Sequence, residues 1–285
     1  MIVRNVNYLS KSGFKLYSDC PLQYKLKYID CLAEEENIYK PTTDFGNIIH
    51  NNIQNVKSNI KVVNGVLVFK APYTYKETVT IKEKEYVFDE RLHMNNFLKF
   101  SNELYAKFGK KKYALPKITE GHYYNHKLRI HGFIDAVYEL PGGGVAIVDW
   151  KTGSKKTKAK MREEIMFYAL CWNARHKQKV KFIQMYFTKF DHHFKEEVSS
   201  ELLAKLVKKI KLSHLLLKKN LFNKAVHRGV CYFCPRNRGV CDLFNLRGEL
   251  LDDSELLELF GDNFIDRKSA FITAQKEGKK LVGKK

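Results

Sequence analysis

The sequence has no uninterrupted apolar run near the roughly 20 residues that a helix needs to cross a bilayer. Polar residues interrupt positions 1 to 17, so the apolar core of a signal peptide is also missing. No Gly-x-x-x-x-Gly-Lys-Ser/Thr loop is present, which excludes a P-loop motor within these residues. We therefore expect a soluble, cytoplasmic protein that does not bind membranes.

Acidic residues are scarce relative to basic ones. The chain has 31 Asp and Glu against 51 Lys and Arg, which gives a formal net charge of +20. Such an excess favours a polyanionic partner, because each phosphate that a protein neutralises releases condensed counterions. A lysine-rich soluble surface without any partner would give the same charge. A hydrophobic content of 44% predicts a folded protein in either case.

Cysteine is also rare, and three of the six cysteines are close together near the C-terminal side. In a reducing compartment these thiols do not pair as disulfides. Cys231, Cys234 and Cys241 therefore indicate a metal site. Because a tetrahedral site or a cubane cluster needs four ligands, a fourth must come from elsewhere in the chain.

The hydrophobic pattern predicts an α/β chain. Helices are expected at 10–29 (broken at Cys20-Pro21), at 44–57 with Asp44 as N-cap, and at 89–108, 162–175, 201–219 and 251–260. Strands are expected at 66–69, 86–88, 116–124, 127–140, 144–151 and 180–188. This order of elements predicts a central mixed sheet flanked by helices.

Charged residues end two of the predicted strands. Side chains two apart in a strand share a face, so Asp149 and Lys151 point the same way. Asp135 lies on the preceding strand, and if the turn at 141–143 makes an antiparallel hairpin, Asp135 and Asp149 converge. Two carboxylates form a hard-oxygen site suited to Mg²⁺ or Mn²⁺, and a neighbouring lysine suits phosphodiester hydrolysis. A surface ion pair at a strand end is the simpler alternative.

Several motifs occur together in an order that resembles the RecB-like PD-(D/E)XK nucleases. They run from about Ser10 to Cys241 and comprise Cys20-Pro21-x-x-Tyr24, Gly46-x-x-x-His50, Gly132-x-x-Asp135, Asp149-Trp150-Lys151-Thr152-Gly153 and Tyr168. The resemblance implies a restriction-endonuclease-like core at about 110–190. Helical, cluster-binding parts would lie at about 10–60 and 195–245. Together they would form one nuclease domain over 1–250, followed by a helix and basic tail over 251–285.

The resemblance also implies roles for individual residues. Asp135, Asp149 and the backbone carbonyl of Trp150 would bind the metal ion, and Lys151 would be the catalytic lysine. His50 would be a further metal ligand, although a partly buried histidine satisfied by a neighbour would look the same in sequence. Relatives often carry a glutamate where Glu120 stands, which would support the metal or remain a surface residue.

One position departs from the family pattern. Relatives usually have glutamine four residues before the tyrosine, and here that residue is Glu164. Residues i and i+4 share a helix face, so Glu164 and Tyr168 are both expected to point toward the metal. Glu164 would add negative charge there or pair with a lysine, and Tyr168 could equally be a core aromatic.

The cysteine arrangement is similar to that of the iron–sulfur subset of these nucleases, which includes AddB-type repair nucleases and CRISPR-associated adaptation exonucleases. The resemblance implies that Cys20 is the fourth ligand of a structural [4Fe–4S] cluster with Cys231, Cys234 and Cys241. Zinc is the alternative. Cys31 and Cys171 are expected to pack in the core.

Basic residues follow the predicted active-site strand directly. Lys155, Lys156, Lys158 and Lys160 are expected to contact the DNA backbone, and Arg236 could extend that path. Tyr123, Tyr124 and Phe133 could stack on bases, although core packing is favoured for Phe133. His122 and His126 are expected to be surface residues of a hairpin.

The function implied is a Mg²⁺- or Mn²⁺-dependent deoxyribonuclease, an exonuclease acting on single-stranded DNA ends. It would serve recombination, repair, phage DNA processing or CRISPR adaptation, with any helicase, recombinase or integrase as a separate chain. A catalytically inert DNA-binding or scaffold subunit is the alternative, and the presence of Asp135, Asp149 and Lys151 counts against it. An RNA nuclease is a third possibility, since no residue indicates recognition of a 2′-hydroxyl.

Overall fold

The computed structural model describes residues 8–32, 39–153, 158–222 and 241. The chain divides into two compact units, one of residues 1–37 with 207–285 and the other of residues 38–206. The division passes through the helix Ser200–Lys218. The predicted separation of a 1–250 domain from a 251–285 tail falls largely on residues outside those described and stays a prediction.

The N-terminal part of the first unit contains short helical pieces. They are β1 (Leu9–Ser10), α1 (Lys11–Asp19), α2 (Pro21–Tyr24) and a π-helical turn (Lys25–Ile29). Ser10 caps α1 by accepting a hydrogen bond from Gly13 N at 2.9 Å. The predicted break at Cys20-Pro21 is confirmed, because Cys20 ends α1 and proline opens the next helix.

Aromatic side chains hold this unit together. The Tyr17 hydroxyl donates to the carbonyl of Leu221 at 2.7 Å, so residues far apart in sequence meet here. Tyr17 packs edge-on against Tyr24, with ring centroids 5.4 Å apart. Burial, followed by the neighbouring Tyr28, raises the pKa of Tyr24 to about 12. The rings of Tyr17 and Tyr24 are both buried and anchor the start of the chain.

The second unit begins with a long helix and two β-hairpins. In chain order these elements are α3 (Lys40–Asn59), β2 (Ile60–Val63), β3 (Val66–Phe69), β4 (Lys76–Ile81), β5 (Lys84–Asp89), α4 (Glu90–Phe108) and α5 (Lys111–Ala114). The remaining elements are β6 (Ile118–Asn125), β7 (Ile130–Glu139), β8 (Val145–Lys151), α6 (Lys158–Asn173), β9 (Val180–Phe187), β10 (His192–Glu197) and α7 (Ser200–Lys218).

Five of these strands form one mixed sheet within the second unit. Ala136 and Val137 of β7 pair with β6 on one side and with β8 on the other, which sets the order β6-β7-β8-β9-β10. The β8–β9 pair is parallel and the other pairs are antiparallel. The predicted hairpin at 141–143 is confirmed. Strand β10 was not predicted, because it has too few apolar residues to show an alternating pattern.

Helices pack against this sheet, as predicted. Phe97 and Phe100 of α4 contact Trp150, with ring centroids 5.2 and 5.5 Å apart. Helix α6 contacts β6 to β10 and is buried at every position from Ile165 to Trp172. Such all-round burial explains why α6 shows no amphipathic pattern. The α/β architecture with a central mixed sheet flanked by helices is therefore confirmed.

Two helix starts differ in how well the sequence predicted them. Asp89 caps α4 by accepting from Leu92 N at 3.0 Å, and Gly109 ends that helix in the left-handed conformation. Asp44, in contrast, is not an N-cap: α3 begins four residues earlier at Lys40, with Pro41 in its first turn. Proline fixes the backbone angle φ for helix entry, and this outweighed the capping preference of aspartate.

None of the helices in the described residues combines the length and apolarity required to span a membrane.

Candidate active site

The central hairpin and α3 bring the predicted metal ligands together. The β7–β8 ladder pairs Ala136 with Val148, so one further step sets Asp135 opposite Asp149. The backbone N–H of Trp150 donates to Asp135 Oδ2 at 2.9 Å and fixes that carboxylate. The sheet register and this hydrogen bond therefore hold both acids at the same place.

His50 reaches this place from α3. Its Nδ1 lies 3.3 Å from Glu120 Oε1 and 3.8 Å from Asp135 Oδ2, and its Nε2 lies 3.1 Å from the carbonyl oxygen of Trp150. One ligand atom each from His50, Glu120 and Asp135 fit within 4.8 Å of one another. We call these three residues the acidic-histidine cluster. Glu120 thus lies beside His50 and is not an isolated surface residue.

The backbone is strained at Glu120 to make this contact. Glu120 adopts φ 51°, in the left-handed region that glutamate rarely occupies. Such a conformation costs on the order of 1–3 kcal/mol and persists only where surrounding structure enforces it. The carboxylate of this strained residue contacts His50. Strained backbone of this kind is typical of functional sites.

Gly46 allows α3 to approach the sheet closely. A Cβ atom at Gly46 would lie 3.3 Å from Thr152 Oγ1, a tighter contact than side chains usually make. Gly46 and His50 are four residues apart and therefore lie on the same face of the helix. The small residue lets His50 reach the carbonyl of Trp150 at the end of β8.

Lys151 pairs with two buried carboxylates. Its Nζ lies 2.5 Å from Asp149 Oδ2 and 3.5 Å from Glu164 Oε1. Burial alone lowers the pKa of Lys151, but the charges of Asp149, Asp135 and Glu164 outweigh it and raise the pKa above its usual range. Lys151 is therefore a stable ammonium ion, and Glu164, in the place of the usual glutamine, adds to that stabilisation.

Two carboxylates in this site carry charge that the protein compensates incompletely. Asp149 is 1% exposed, and neither of its oxygens accepts a hydrogen bond of acceptable geometry from the described residues. Burial, together with the charge of Asp149, raises the pKa of Asp135 to about 7. Because buried charges need a partner, the excess of carboxylates fits a divalent cation. The donor set of oxygens and one imidazole suits Mg²⁺ or Mn²⁺.

His50 has a raised pKa for the same reason. Burial lowers it, but the hydrogen bond to Glu120 and the charges of Asp135, Glu120 and Asp149 together raise it. Both ring nitrogens face acceptors, so the protonated ring can donate to Glu120 and to the Trp150 carbonyl. A metal ion binding to His50 would displace one of these protons.

A hydrogen-bond network around Thr188, which was not predicted from the sequence, holds the backbone carbonyl of Lys151. The Thr188 backbone N–H donates to the carbonyl of Lys151 at 2.9 Å, and the Thr188 hydroxyl contacts His93 Nδ1 at 2.6 Å. Asn96 Nδ2 donates to the Thr188 carbonyl at 2.7 Å. Burial, aided by the charge of Lys189, lowers the pKa of His93 to about 4, so the ring is neutral. The only signal in the sequence was a histidine on the buried face of α4.

Tyr168 is buried close to the same acids. It is 5% exposed, and burial followed by the charges of Asp149, Asp135 and Glu164 raises its pKa well above the usual value. Its phenol therefore stays protonated. The position agrees with both interpretations of the sequence, a core aromatic and a side chain near the metal.

The predicted DNA-binding residues fall mostly outside the described part of the chain. Lys155, Lys156 and Arg236 lie outside it, and so does the side chain of Lys160. Lys158 is exposed, and its ammonium lies 5.6 Å from the centroid of the Phe194 ring. The expectation that Phe133 packs in the core was wrong: it is 55% exposed, because its side of the hairpin is not covered.

The cysteines are only partly described. Cys231 and Cys234 lie outside the described residues, whereas Cys20 and Cys241 are half-buried within the first unit. Cys171 is buried as predicted, and burial raises the pKa of its thiol to about 12. Cys31 is exposed, so its predicted place in the core was wrong. It lies just after the π-helical turn and adopts φ 52°.

Comparison with known proteins finds a matching family and similar individual proteins. A sequence profile of the PD-(D/E)XK nuclease superfamily matches residues 8–242. A protein of Streptococcus uberis, named as one of the subunits of an ATP-dependent helicase/deoxyribonuclease, is 20% identical over 286 aligned positions, which cover 94% of this chain and 25% of that protein. The chain thus spans about a quarter of the length of this relative. A crystal structure named "Putative exonuclease", from Eubacterium rectale, is 12% identical, with 90% of this chain and 94% of that one covered and a TM-score of 0.48.

Proposed function

The chain belongs to the PD-(D/E)XK nuclease superfamily, and on this premise we propose that it is a Mg²⁺- or Mn²⁺-dependent deoxyribonuclease. The proposal is carried by the proximity of acidic, metal-binding side chains to the ammonium of Lys151. The acidic-histidine cluster lies within electrostatic range of Asp149, whose charge raises the pKa of Asp135, and the Asp149 carboxylate contacts the Lys151 ammonium at 2.5 Å. Phosphodiester hydrolysis needs both a cation-binding acidic site and a fixed positive charge.

We assign the metal to His50, Asp135, Asp149 and the carbonyl of Trp150, with Glu120 as a further donor. Bound there, a divalent cation would activate water and stabilise negative charge on the phosphate. The imidazole of His50 favours Mn²⁺ more than an all-oxygen site would. Thr188 and Asn96 hold the adjoining backbone, so the ligands from β8 keep their positions when the substrate enters.

Lys151 acts as a donor in this mechanism. Its raised pKa means that it keeps its proton near neutral pH, so it orients the attacking water and neutralises phosphate charge without removing a proton itself. Asp149 and Glu164 prevent the ammonium from swinging away. Tyr168, as a neutral phenol, can donate a hydrogen bond toward the same carboxylates or the phosphate.

We further propose that the substrate is single-stranded DNA cut from its ends. The net charge of +20 suits a nucleic acid, and a relative named as part of a helicase/deoxyribonuclease supports DNA rather than RNA. That relative's name also supports a separate helicase chain as a partner, with recombinase or integrase chains as the alternatives. Recombination, repair, phage DNA processing and CRISPR adaptation all require such an enzyme.

Digestion of end-labelled DNA tests this function directly. We expect single-stranded oligonucleotides to be degraded with Mg²⁺ or Mn²⁺, and no degradation in excess EDTA, because the carboxylates would then have no cation to hold. Circular single strands should resist cutting if ends are required, and an RNA of the same sequence should survive. DNA that is bound with either metal but never cut would favour the catalytically inert alternative.

We also propose that Cys20, Cys231, Cys234 and Cys241 hold a [4Fe–4S] cluster that ties the ends of the nuclease domain together. In support, Cys20 and Cys241 are half-buried residues of the same compact unit, although about 220 positions separate them in the chain. Protein purified without oxygen is expected to be brown and to contain iron and acid-labile sulfide in equal amounts. A colourless protein with one bound zinc would contradict the cluster and leave the nuclease proposal intact.

A further inference from the structure

The β6–β7 hairpin carries four aromatic and histidine rings on one face. Cross-strand pairing sets His122 opposite Phe133 and Tyr124 opposite His131. We call these four residues the hairpin aromatic row. None of them belongs to the acidic-histidine cluster or to the core assembled around Trp150.

The rings of this row already stack on one another. His122 and Phe133 lie nearly parallel, with centroids 4.1 Å apart and planes at 11°. Tyr124 and His131 are stacked at 5.4 Å with planes at 22°. The ring nitrogens His122 Nε2 and His131 Nδ1 are 2.9 Å apart and join the two pairs. The row is therefore a preformed surface whose side chains lose little further freedom on binding.

The row is open to solvent on the side that α6 does not cover. Phe133 is 55% exposed, and His122 is also exposed. On the same strand, Tyr123 packs against Trp172 and Asn125 donates to the carbonyl of Leu170, so alternate residues of β6 contact α6. An exposed phenylalanine stacked on other rings forms a contiguous aromatic patch, the kind of surface that a partner can cover.

The row lies close to the metal ligands along the strands. Glu120 precedes His122 by two residues on β6, and Asp135 follows Phe133 by two residues on β7. Both of these acids contact His50, which confirms that they converge. A step of two residues is about 7 Å, so the two ring pairs lie about 7 and 13 Å from the cluster along the strands. These distances correspond to the first few nucleotides beside a phosphate held at the metal.

Charge near the row suits the same ligand. The hairpin turn carries Lys127 and Arg129, both exposed, within a chain of net charge +20. Aromatic rings interleaved with cations are the features by which proteins bind unpaired bases of any sequence. A base-paired duplex keeps its bases stacked inside and offers no ring face to such a row.

We infer that the hairpin aromatic row stacks against unpaired bases of the strand whose phosphate is cut. This inference rests on the proposed nuclease function and adds to it a physical reason for preferring single strands. The stacked bases would place the scissile phosphate at the acidic-histidine cluster. Phe133, which is 55% exposed, is the residue of the row expected to contact a base.

Binding measurements with Phe133 variants test the inference. In Ca²⁺, which hard-oxygen sites also bind, the affinity for a fluorescent single-stranded oligonucleotide is measured by anisotropy. Phe133→Leu keeps an apolar side chain without a π face, and it should weaken single-strand binding about tenfold. Phe133→Trp should bind at least as well as the parent. Affinity for a blunt duplex should not change, so the preference for single strands should shrink by the same factor.

An abasic scan of the oligonucleotide identifies which base contacts Phe133. Removing one base near the cut should weaken binding by the parent about tenfold but should leave Phe133→Leu unchanged, because the lost contact is the same. Val87→Ala is the matched control, since Val87 is 49% exposed on the β4–β5 hairpin and should have no effect. Unfolding curves check that each variant is folded, and His122→Leu serves as the second variant.

The outcomes separate the two proposals. If the parent cleaves DNA while Phe133→Leu and His122→Leu bind single strands as the parent does, the stacking inference is overturned and the nuclease function stands. A loss that is equal for single strands and duplex also overturns it. If Phe133→Leu does not change the affinity for single strands, and Zn²⁺ binding depends on His122 and His131, the row is a metal site and the stacking inference is overturned. A parent that neither binds nor cuts DNA ends both proposals.

Discussion

Replacing Lys151 with methionine is expected to slow single-turnover DNA cleavage by about a thousandfold, with metal binding retained. Methionine keeps the aliphatic length of the side chain but removes the ammonium that contacts Asp149 at 2.5 Å. The active site then lacks a fixed positive charge during cleavage, whereas the metal ligands are unchanged. Quenched-flow or gel assays at saturating enzyme separate this effect from weaker substrate binding.

The same variant should also be less stable in EDTA. Without Lys151, the buried carboxylates of Asp149 and Glu164 lose the ammonium that both contact, and a buried charge deprived of its partner is costly. Mg²⁺ should restore part of the lost stability. Lys117→Met is the matched control, because Lys117 also forms an ion pair with a carboxylate of the same sheet, that of Glu139 in β7. Cleavage by Lys151→Met at the parent rate would refute the role of the ammonium.

Replacing Asp135 with asparagine is expected to reduce both metal affinity and cleavage, the latter by about a thousandfold. Asparagine preserves the shape and can still accept the hydrogen bond from the Trp150 N–H, so the fold should persist. What disappears is the negative charge that a divalent cation needs. Calorimetric titration with Mn²⁺ measures the affinity, and Glu139→Gln on the same strand is the control that should bind metal normally.

In the absence of metal, the parent should lose stability as the pH rises toward 7, and Asp135→Asn should remove this loss. Asp135 has a pKa raised to about 7 from an ordinary value of 3.8, so the metal-free folded protein holds a proton that the unfolded chain releases. Its contribution to stability is therefore present below about pH 4 and is lost as the pH rises toward 7. Asp135→Asn removes this loss, so in EDTA at pH 7.5 it should be at least as stable as the parent. A large destabilisation there would show that Asp135 has a structural role.

These two experiments depend on residues that local sequence could identify. Asp149 and Lys151 alternate at the end of an apolar strand, and a Pro-Gly-Gly turn places Asp135 on the partner strand. The β7–β8 hairpin could therefore be predicted from strand periodicity and turn residues. The break at Cys20-Pro21 and the helix predicted over 89–108 were equally local. Such features depend on backbone geometry within a few residues, which the sequence encodes directly.

Other features depended on contacts between distant segments. Glu120 meets His50 because α3 approaches β8 over Gly46, and no spacing in the sequence gives that distance. Phe133 looked like a core residue because its neighbours are apolar, yet its face of the hairpin is open. Strand β10 and the contact of Thr188 with His93 were missed because neither leaves a periodic pattern.

The sequence by itself determined the α/β order of elements, the central hairpin and the acids and lysine that end its strands. These follow from periodicity, turn residues and charge, which act over short distances along the chain. Only the tertiary structure decided that Glu164 pairs with Lys151, that Glu120 joins His50, and that the rings of the hairpin aromatic row stack on one another. Those contacts are set by how helices and strands pack, and packing depends on the whole unit rather than on any one segment.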